Sequence, residues 1–262
     1  MKILLTNDDG ISSPELWELA GELKVLGSVV IVAPDREQSA IGTAITLRQP
    51  LRVQKVKPIV QGIEAYAVEG TASDAVIMAL GKLITGRVDL VASGVNQGLN
   101  LGDDILISGT VGAALQAYLR GIPALAVSVA GKNNPGLKTA AVLTRLLAVK
   151  IGDRSLPEDI FLNVNIPDIP PEDFRGIRLT GRAHRTHIDT VEEGTDGRRE
   201  YYWLMRHRLE TEVGEDSDVA ALEQGYISIT PLHTILFGKP ALEPVNGLFT
   251  SMFQELRKAL FF

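Results

Sequence analysis

The sequence contains no cysteine. That absence excludes disulfides, a thiol nucleophile and a cysteine-ligated zinc site. Aromatic residues account for only 5% of the 262 residues, there is no block of basic residues, and the formal net charge is −6. Bulk attraction to a DNA or RNA duplex is therefore not expected, although a small anion can still find a local site. No uninterrupted apolar run reaches the ~18 residues that a membrane span needs. Met1 leads straight into a strand-like segment, without a basic and then apolar leader. The chain accordingly reads as cytoplasmic, with no membrane partner. Three motifs are missing as well: Gly-x-Gly-x-x-Gly after the first strand, Gly-x-x-x-x-Gly-Lys-Ser/Thr, and Gly-x-Ser-x-Gly. Their absence argues against a nicotinamide fold of the usual kind, a P-loop nucleotide site and an α/β-hydrolase serine nucleophile.

What remains is an ordinary globular composition, 45% apolar and 22% charged, in a chain long enough for one large or two modest domains. Over the first half, strand and helix signals alternate. Lys2–Thr6 precedes Ser13-Pro14-Glu15, a capped helix start whose helix should stop near Gly27. Residues 29–33 form a β-branched strand. Two further strand-like stretches, 43–47 and 51–57, suggest a β excursion from the main sheet before 64–68 returns to it. Thr71-Ala72-Ser73-Asp74 matches a capping box before a helix over 75–84. Then come a strand at 88–93, a helix at 110–120, a strand at 124–129, a helix at 137–149 and a strand at 161–167. This rhythm predicts an α/β fold with a Rossmann-like, doubly wound, mostly parallel sheet, whose ligands gather beyond the carboxyl ends of the strands.

After about residue 150 the rhythm changes, with 161–167 as one more strand before a proline-rich turn. Residues 177–210 read as extended β, with a hairpin arm carrying Tyr201, Tyr202 and Trp203 and a loop at 194–197. A short helix at 216–224, a returning strand at 226–230 and a terminal amphipathic helix at 248–260 follow. The expected organisation is one domain over 1–262. Within it, residues 1–170 form the α/β core and 171–262 form an appended β-rich extension serving as an oligomerisation arm, because an apolar hairpin needs a partner surface.

The chemistry is concentrated in three loops predicted to open on one edge of the sheet. Asn7-Asp8-Asp9-Gly10 leaves the first strand, Pro34–Ala40 with Ser39 leaves the second, and Ser93–Asp104 with Asn96 and Asn100 leaves the strand at 88–93. Adjacent carboxylates repel, so Asp8 and Asp9 require a shared proton or a cation between them, unless they merely form an Asp-Gly turn. Oxygen donors without His or Cys suit Mg²⁺, Mn²⁺ or Ca²⁺ better than zinc. Ser108-Gly109-Thr110 then opens a helix with small residues, which leaves N–H groups uncovered for an anion such as phosphate; an ordinary N-cap is the plainer explanation. Asp103-Asp104 is either a second acidic pair or an Asx-type turn. His184 and His187 lie in a β or loop region without a third ligand and are expected to be solvated, and His207 and His233 stand alone.

Taken together, these segments resemble the SurE (survival protein E) nucleotidases. The resemblance is carried by Ile3–Gly10, Ala33–Ser39, Glu69–Asp74, Ser93–Gly98, Asn100–Asp104, Ile107–Ala114 and Gly225–Leu232, in order and over nearly the whole chain. Ala72 departs from the family's proline after Gly-Thr, and Gln97 falls at a variable position. The resemblance implies a Rossmann-like fold with a β-rich extension exchanged between subunits of a homodimer or homotetramer. It implies a divalent-metal-dependent phosphatase, one ion per subunit, acting on nucleoside 5′- and 3′-monophosphates and often on polyphosphate. Its metal ligands map onto Asp8, Asp9, Ser39 and Asn96, and its phosphate contacts onto Asn100, Ser108, Gly109 and Thr110. Direct attack by an activated water, with Asp8 or Asp9 as general base, is the expected mechanism. A haloacid-dehalogenase-type enzyme is disfavoured because it needs Asp-x-Asp and position 10 is glycine. A non-catalytic nucleotide or phosphate sensor is the alternative of a different class.

Overall fold

The computed structural model describes residues 1–131, 136–184, 186–209 and 214–233, and residues 1–232 form one compact unit. Its centre is a nine-stranded sheet. In chain order the strands are β1 (Lys2–Thr6), β2 (Ser28–Pro34), β3 (Val53–Val56), β4 (Glu64–Val68), β5 (Leu90–Gln97), β6 (Ala124–Val129), β7 (Phe161–Ile166), β8 (Ile177–Leu179) and β11 (Ile227–Pro231). The remaining two, β9 (His187–Thr195) and β10 (Glu200–Arg208), pair only with each other. Across the main sheet the order is β3-β4-β2-β1-β5-β6-β7-β11-β8. The six strands β4, β2, β1, β5, β6 and β7 are mutually parallel, while β3 and β11 run antiparallel to their neighbours β4 and β7.

Helices cover both faces, as buried, β-branched strands require. Helices α1 (Pro14–Leu23) and α4 (Gly136–Gly152) bury Leu16, Leu19, Leu23, Ala140 and Ala141 against Ile3, Leu5, Ile31, Leu125 and Val164. Helices α2 (Ala72–Met78) and α3 (Gly109–Tyr118) bury Val76, Val111, Ala113 and Ala117 against Leu4, Val32, Val91, Ala126 and Phe161. Truncating a fully buried leucine such as Leu4 or Leu5 to alanine typically costs about 2–5 kcal/mol. A fifth helix, α5 (Asp218–Glu223), leads into β11.

The second face is apolar only in its lower half. Toward the carboxyl ends its residues become Thr6, Ser93, Ser128, Asn163, Asn165, Ser228 and Thr230, all buried. The strand order reverses between β2-β1 and β5, which is where ligands of doubly wound sheets collect.

Several elements differ from expectation. Residues 43–47 form no strand. Thr46 donates its N–H and hydroxyl to the two carboxylate oxygens of Asp74, at 2.8 and 2.7 Å, and the Ala44 carbonyl accepts from Thr71. The segment thus satisfies its polar groups on the capping box that begins α2 and has no need of a ladder. The predicted helix over 75–84 starts at Ala72 and changes to a π-turn over Ala79–Leu83. The C-terminal part is more integrated than an appendage, because β11 and β8 extend the main sheet and bury Ile227 and Ile229. Among the described residues, only the β9–β10 hairpin stands apart, and its loop lies at 196–199, with Gly194 still in the ladder opposite Tyr201. The terminal helix expected at 248–260 lies outside the described residues.

Candidate active site

β1 delivers Asn7, Asp8 and Asp9 to the carboxyl edge. Asn7 closes the turn on itself, donating to the Gly10 carbonyl and accepting the Gly10 N–H, both at 3.1 Å. The second loop is tied to this turn through the main chain. The Gln38 N–H donates to the Asp8 carbonyl at 2.7 Å, and the Ile11 N–H donates to the Pro34 carbonyl at 2.8 Å. Ser39 follows Gln38 directly. Its side chain is exposed and its hydroxyl donates to Glu37 at 2.7 Å.

Asp8 is buried at 4% exposure and faces the start of α3. The Thr110 hydroxyl donates to Asp8 Oδ1 at 2.5 Å. Burial raises the Asp8 carboxyl above its usual range, opposed by the Thr110 hydroxyl and by the main-chain N–H groups of Asp8 and Thr110. Gly109 lets the helix come this close, since a Cβ there would lie 2.8 Å from Asp8 Oδ2 and from Asp8 Cβ. Asp8 therefore already takes part of the favourable field at the N-terminus of α3. Ser108 caps the helix, its hydroxyl oxygen accepting the Val111 N–H at 3.1 Å while its own proton stays available to donate. Of the predicted phosphate contacts, the Thr110 hydroxyl is thus committed to a carboxylate. At the helix start, the Gly109 N–H, one of the first-turn groups with no intrahelical acceptor, and the Ser108 hydroxyl are the donors left for an anion.

Asp9 differs from its neighbour. Its Oδ2 is buried without a hydrogen-bond partner. Burial, then the nearby Asp8, Glu15 and Glu37, push its carboxyl up to about 7. A buried, unpaired carboxylate oxygen beside three other acids is costly unless a proton or a cation compensates it. Among the described residues, no three His, Cys, Asp or Glu side chains converge as in an all-carboxylate or histidine metal centre.

Asn96 is strand-borne, because β5 continues to Gln97 and does not end at Ser93 as expected. The continuation is irregular. The register with β6 shifts between Ser93 and Asn96, an interruption that re-aims side chains. Gly94 makes it possible: its φ is +132°, and a Cβ would sit 2.3 Å from the Val127 carbonyl oxygen. Asn96 donates to the Gly98 carbonyl at 2.8 Å, and the neighbouring Gln97 side chain donates to Glu15.

Asn100 is buried and held from two strands. Its Nδ2 donates to Ser128 Oγ at 2.7 Å on β6, and its N–H donates to Asn165 Oδ1 at 2.8 Å on β7. Its carbonyl accepts from Asn163 and Asn165 at 2.8 and 3.1 Å. These two asparagines were read from the sequence only as part of a strand. The signal available was their alternation in Phe161-Leu162-Asn163-Val164-Asn165, which puts two amides on one face of a central strand, where apolar side chains are the rule. The acidic pair Asp103-Asp104 faces the base of the hairpin. His187 Nε2 lies 3.3 Å from Asp104, and His184 contacts Arg182 at 2.7 Å. The histidines thus lie in a polar network and His207 contacts Thr190 at 2.9 Å.

A family model described as survival protein SurE matches residues 3–189. This chain belongs to the SurE family. Among its relatives, the 5′-nucleotidase SurE of Dehalococcoides mccartyi (strain CBDB1) is 56% identical over 242 residues, covering 92% of this chain and 91% of the relative. The 5′-nucleotidase SurE of Pelobacter propionicus is 46% identical over 248 residues, covering 94% and 98% respectively. The crystal structure of the SurE protein from Aquifex aeolicus superimposes with a TM-score of 0.78 at 34% identity, covering 97% of this chain and all of that one. The fold is that of the SurE family.

Proposed function

We propose that this chain is a divalent-metal-dependent phosphomonoesterase that hydrolyses nucleoside 5′- and 3′-monophosphates to nucleoside and phosphate, with polyphosphate as a further substrate. The names of its relatives support the nucleotidase activity. The observation that carries the metal requirement is the buried Asp9 Oδ2, which has no partner beside a second buried carboxylate. Asp8, Asp9, Ser39 and Asn96 are the residues that would hold the cation, and their oxygen-rich donor set fits Mg²⁺ or Mn²⁺. When bound, such an ion supplies charge neutralisation at the phosphoryl oxygens and acidifies a water.

The chain's own groups do the rest. Thr110 holds Asp8 in one orientation, and Gly109 permits the approach. The Gly109 N–H, the Ser108 hydroxyl and Asn100 bind and orient the phosphoryl oxygens, where donors stabilise the charge that spreads in the transition state. Since Thr110 engages Asp8, Asp9 keeps an oxygen free to accept a proton from the attacking water. Attack is in line and direct, with no phosphoenzyme. A covalent aspartyl-phosphate trapped by acid quench contradicts this step.

The same reading makes the protein a cytoplasmic homo-oligomer. Tyr202 and Leu204 lie on one face of the hairpin and Tyr201 and Trp203 on the other, and all four are exposed. Two apolar faces on one ribbon suit insertion between partner surfaces. Among the described residues, no helix is long and apolar enough to cross a membrane. Phosphate release from nucleoside monophosphates with Mn²⁺, lost on chelation and restored on refilling, is the test of the enzymatic assignment. Binding of nucleotide without release is the sensor's result.

A further inference from the structure

The turn that joins Asn100 to Ser108 is gripped from the base of the hairpin. It contains a short 3-10 segment, Gly102–Leu106. Asp103 accepts from Arg182 Nη1 at 2.8 Å and from the Thr186 N–H at 2.9 Å, and its own N–H donates to Thr186 Oγ1 at 3.1 Å. Asp104 accepts from Arg206 Nε at 2.8 Å, and its second oxygen lies 3.3 Å from His187 Nε2. The Arg206 guanidinium also reaches Asp189 across the ladder, at 3.0 and 3.2 Å. One arginine therefore ties both hairpin strands to the turn. Packing points the same way, because a Cβ on Gly102 would lie 2.5 Å from the Thr186 side chain.

These are partly buried, charge-assisted contacts. Arg206 is 31% and Asp104 23% exposed at the side chain, so they are stronger than free surface pairs. Asp103-Asp104 is thus an acidic pair engaged by Arg182, Arg206 and His187. Burial alone would raise the Asp103 carboxyl, but the Thr186 N–H and the Arg182 guanidinium outweigh it and hold it below the usual range.

We propose that Arg206 is a positioning residue for the phosphate turn: by holding Asp104 it fixes the segment between Asn100 and Ser108, and so makes the hairpin part of the catalytic scaffold. This rests on the phosphomonoesterase reading above. Two donors of the phosphate site flank the turn, and displacement of such groups by about 1 Å can cost up to ~100-fold in rate. A hairpin seated on a partner thereby also sets the geometry of its own subunit's site.

A double-mutant cycle on the full-length protein tests this. With Mn²⁺ present, Asp104→Asn and Arg206→Gln each lower kcat/KM about tenfold, chiefly through KM, and weaken inhibition by inorganic phosphate in step. The double variant loses no more than the worse single one, and Arg206→Lys recovers part of the loss. Amide exchange over 102–108 accelerates in both single variants, while β1 and β2 keep their protection. Multiplying losses in the double variant overturn the proposal. So does an Arg206→Gln protein within twofold of wild type with unchanged exchange over the turn. If the wild-type protein released phosphate from no nucleotide, the phosphomonoesterase reading would fail on its own, and the exchange comparison would still decide whether Arg206 holds the turn.

Discussion

Thr110 donates its hydroxyl hydrogen to Asp8 Oδ1 over 2.5 Å, joining the first turn of α3 to the end of β1 across 102 residues of sequence. The contact explains why a helix start that reads like an anion site faces a carboxylate. It also assigns the Thr110 side chain to the orientation of Asp8, leaving the neighbouring Gly109 N–H and Ser108 hydroxyl as the uncommitted donors at the helix start.

Thr110→Val keeps the shape of the side chain and removes its donor. The buried Asp8 oxygen then lacks its partner, which costs about 1–3 kcal/mol of stability. Turnover should fall by roughly 10- to 100-fold. Thr110→Ser retains the hydroxyl and most of the rate. Denaturant unfolding and steady-state phosphate release measure both effects; a valine variant with wild-type turnover contradicts the assignment.

Asn165 makes a two-point contact with the main chain of Asn100, donating to its carbonyl and accepting its N–H. Asn165→Ala should weaken inhibition by inorganic phosphate about tenfold while Mn²⁺ affinity, read by calorimetry, stays within about twofold. Asn165→Asp keeps the acceptor, loses the donor and falls between. Equal losses of phosphate and metal binding point instead to general collapse of the edge.

Asp9 gives the metal-free protein a pH signature. Its folded carboxyl is pushed from 3.8 up to about 7 by burial and by Asp8, Glu15 and Glu37. A raised folded pKa means that the stability associated with the neutral acid is fully present below the unfolded value and is lost as pH rises through the folded one. With chelator present, Asp9→Asn should therefore raise Tm at pH 8, and the gain should shrink as pH falls toward 4. A gain that is absent at pH 8, or equal at both pH values, contradicts the unpaired carboxylate.

Much of this was legible in the sequence. Apolar runs and capping residues locate β1, β2, β6, β7, α1 and α3 to within a few residues, because burial and local hydrogen bonding agree there. Asp8, Asp9 and Asn96 were legible as oxygen donors on one sheet edge. Illegible were the contacts that depend on long-range partners. Residues 43–47 look like a strand by β-branching, yet their polar groups go to Asp74 and Thr71. The strand extension that carries Asn96 depends on Gly94 passing the Val127 carbonyl, which no local pattern encodes. The roles of Asn163, Asn165 and Arg206 exist only once β7 and the hairpin are placed beside the turn.

The hairpin supplies an assembly prediction. Trp203→Glu combined with Leu204→Glu places a charge on each of its two apolar faces, so the sedimentation mass should drop to that of a smaller species. An unchanged mass would show that neither hairpin face holds the oligomer together.

The proposed site has Asp8 and Asp9 as anchors of a metal-dependent phosphatase at the edge where β1 and β5 meet the start of α3. Its most direct test is phosphate release from nucleoside 5′- and 3′-monophosphates by wild-type and Asp9→Asn proteins, each with Mn²⁺ and with chelator. Release is expected from the wild-type protein with Mn²⁺ only, with a loss of about 1,000-fold or more in the variant. Release that persists in chelator, or that survives Asp9→Asn unchanged, contradicts it.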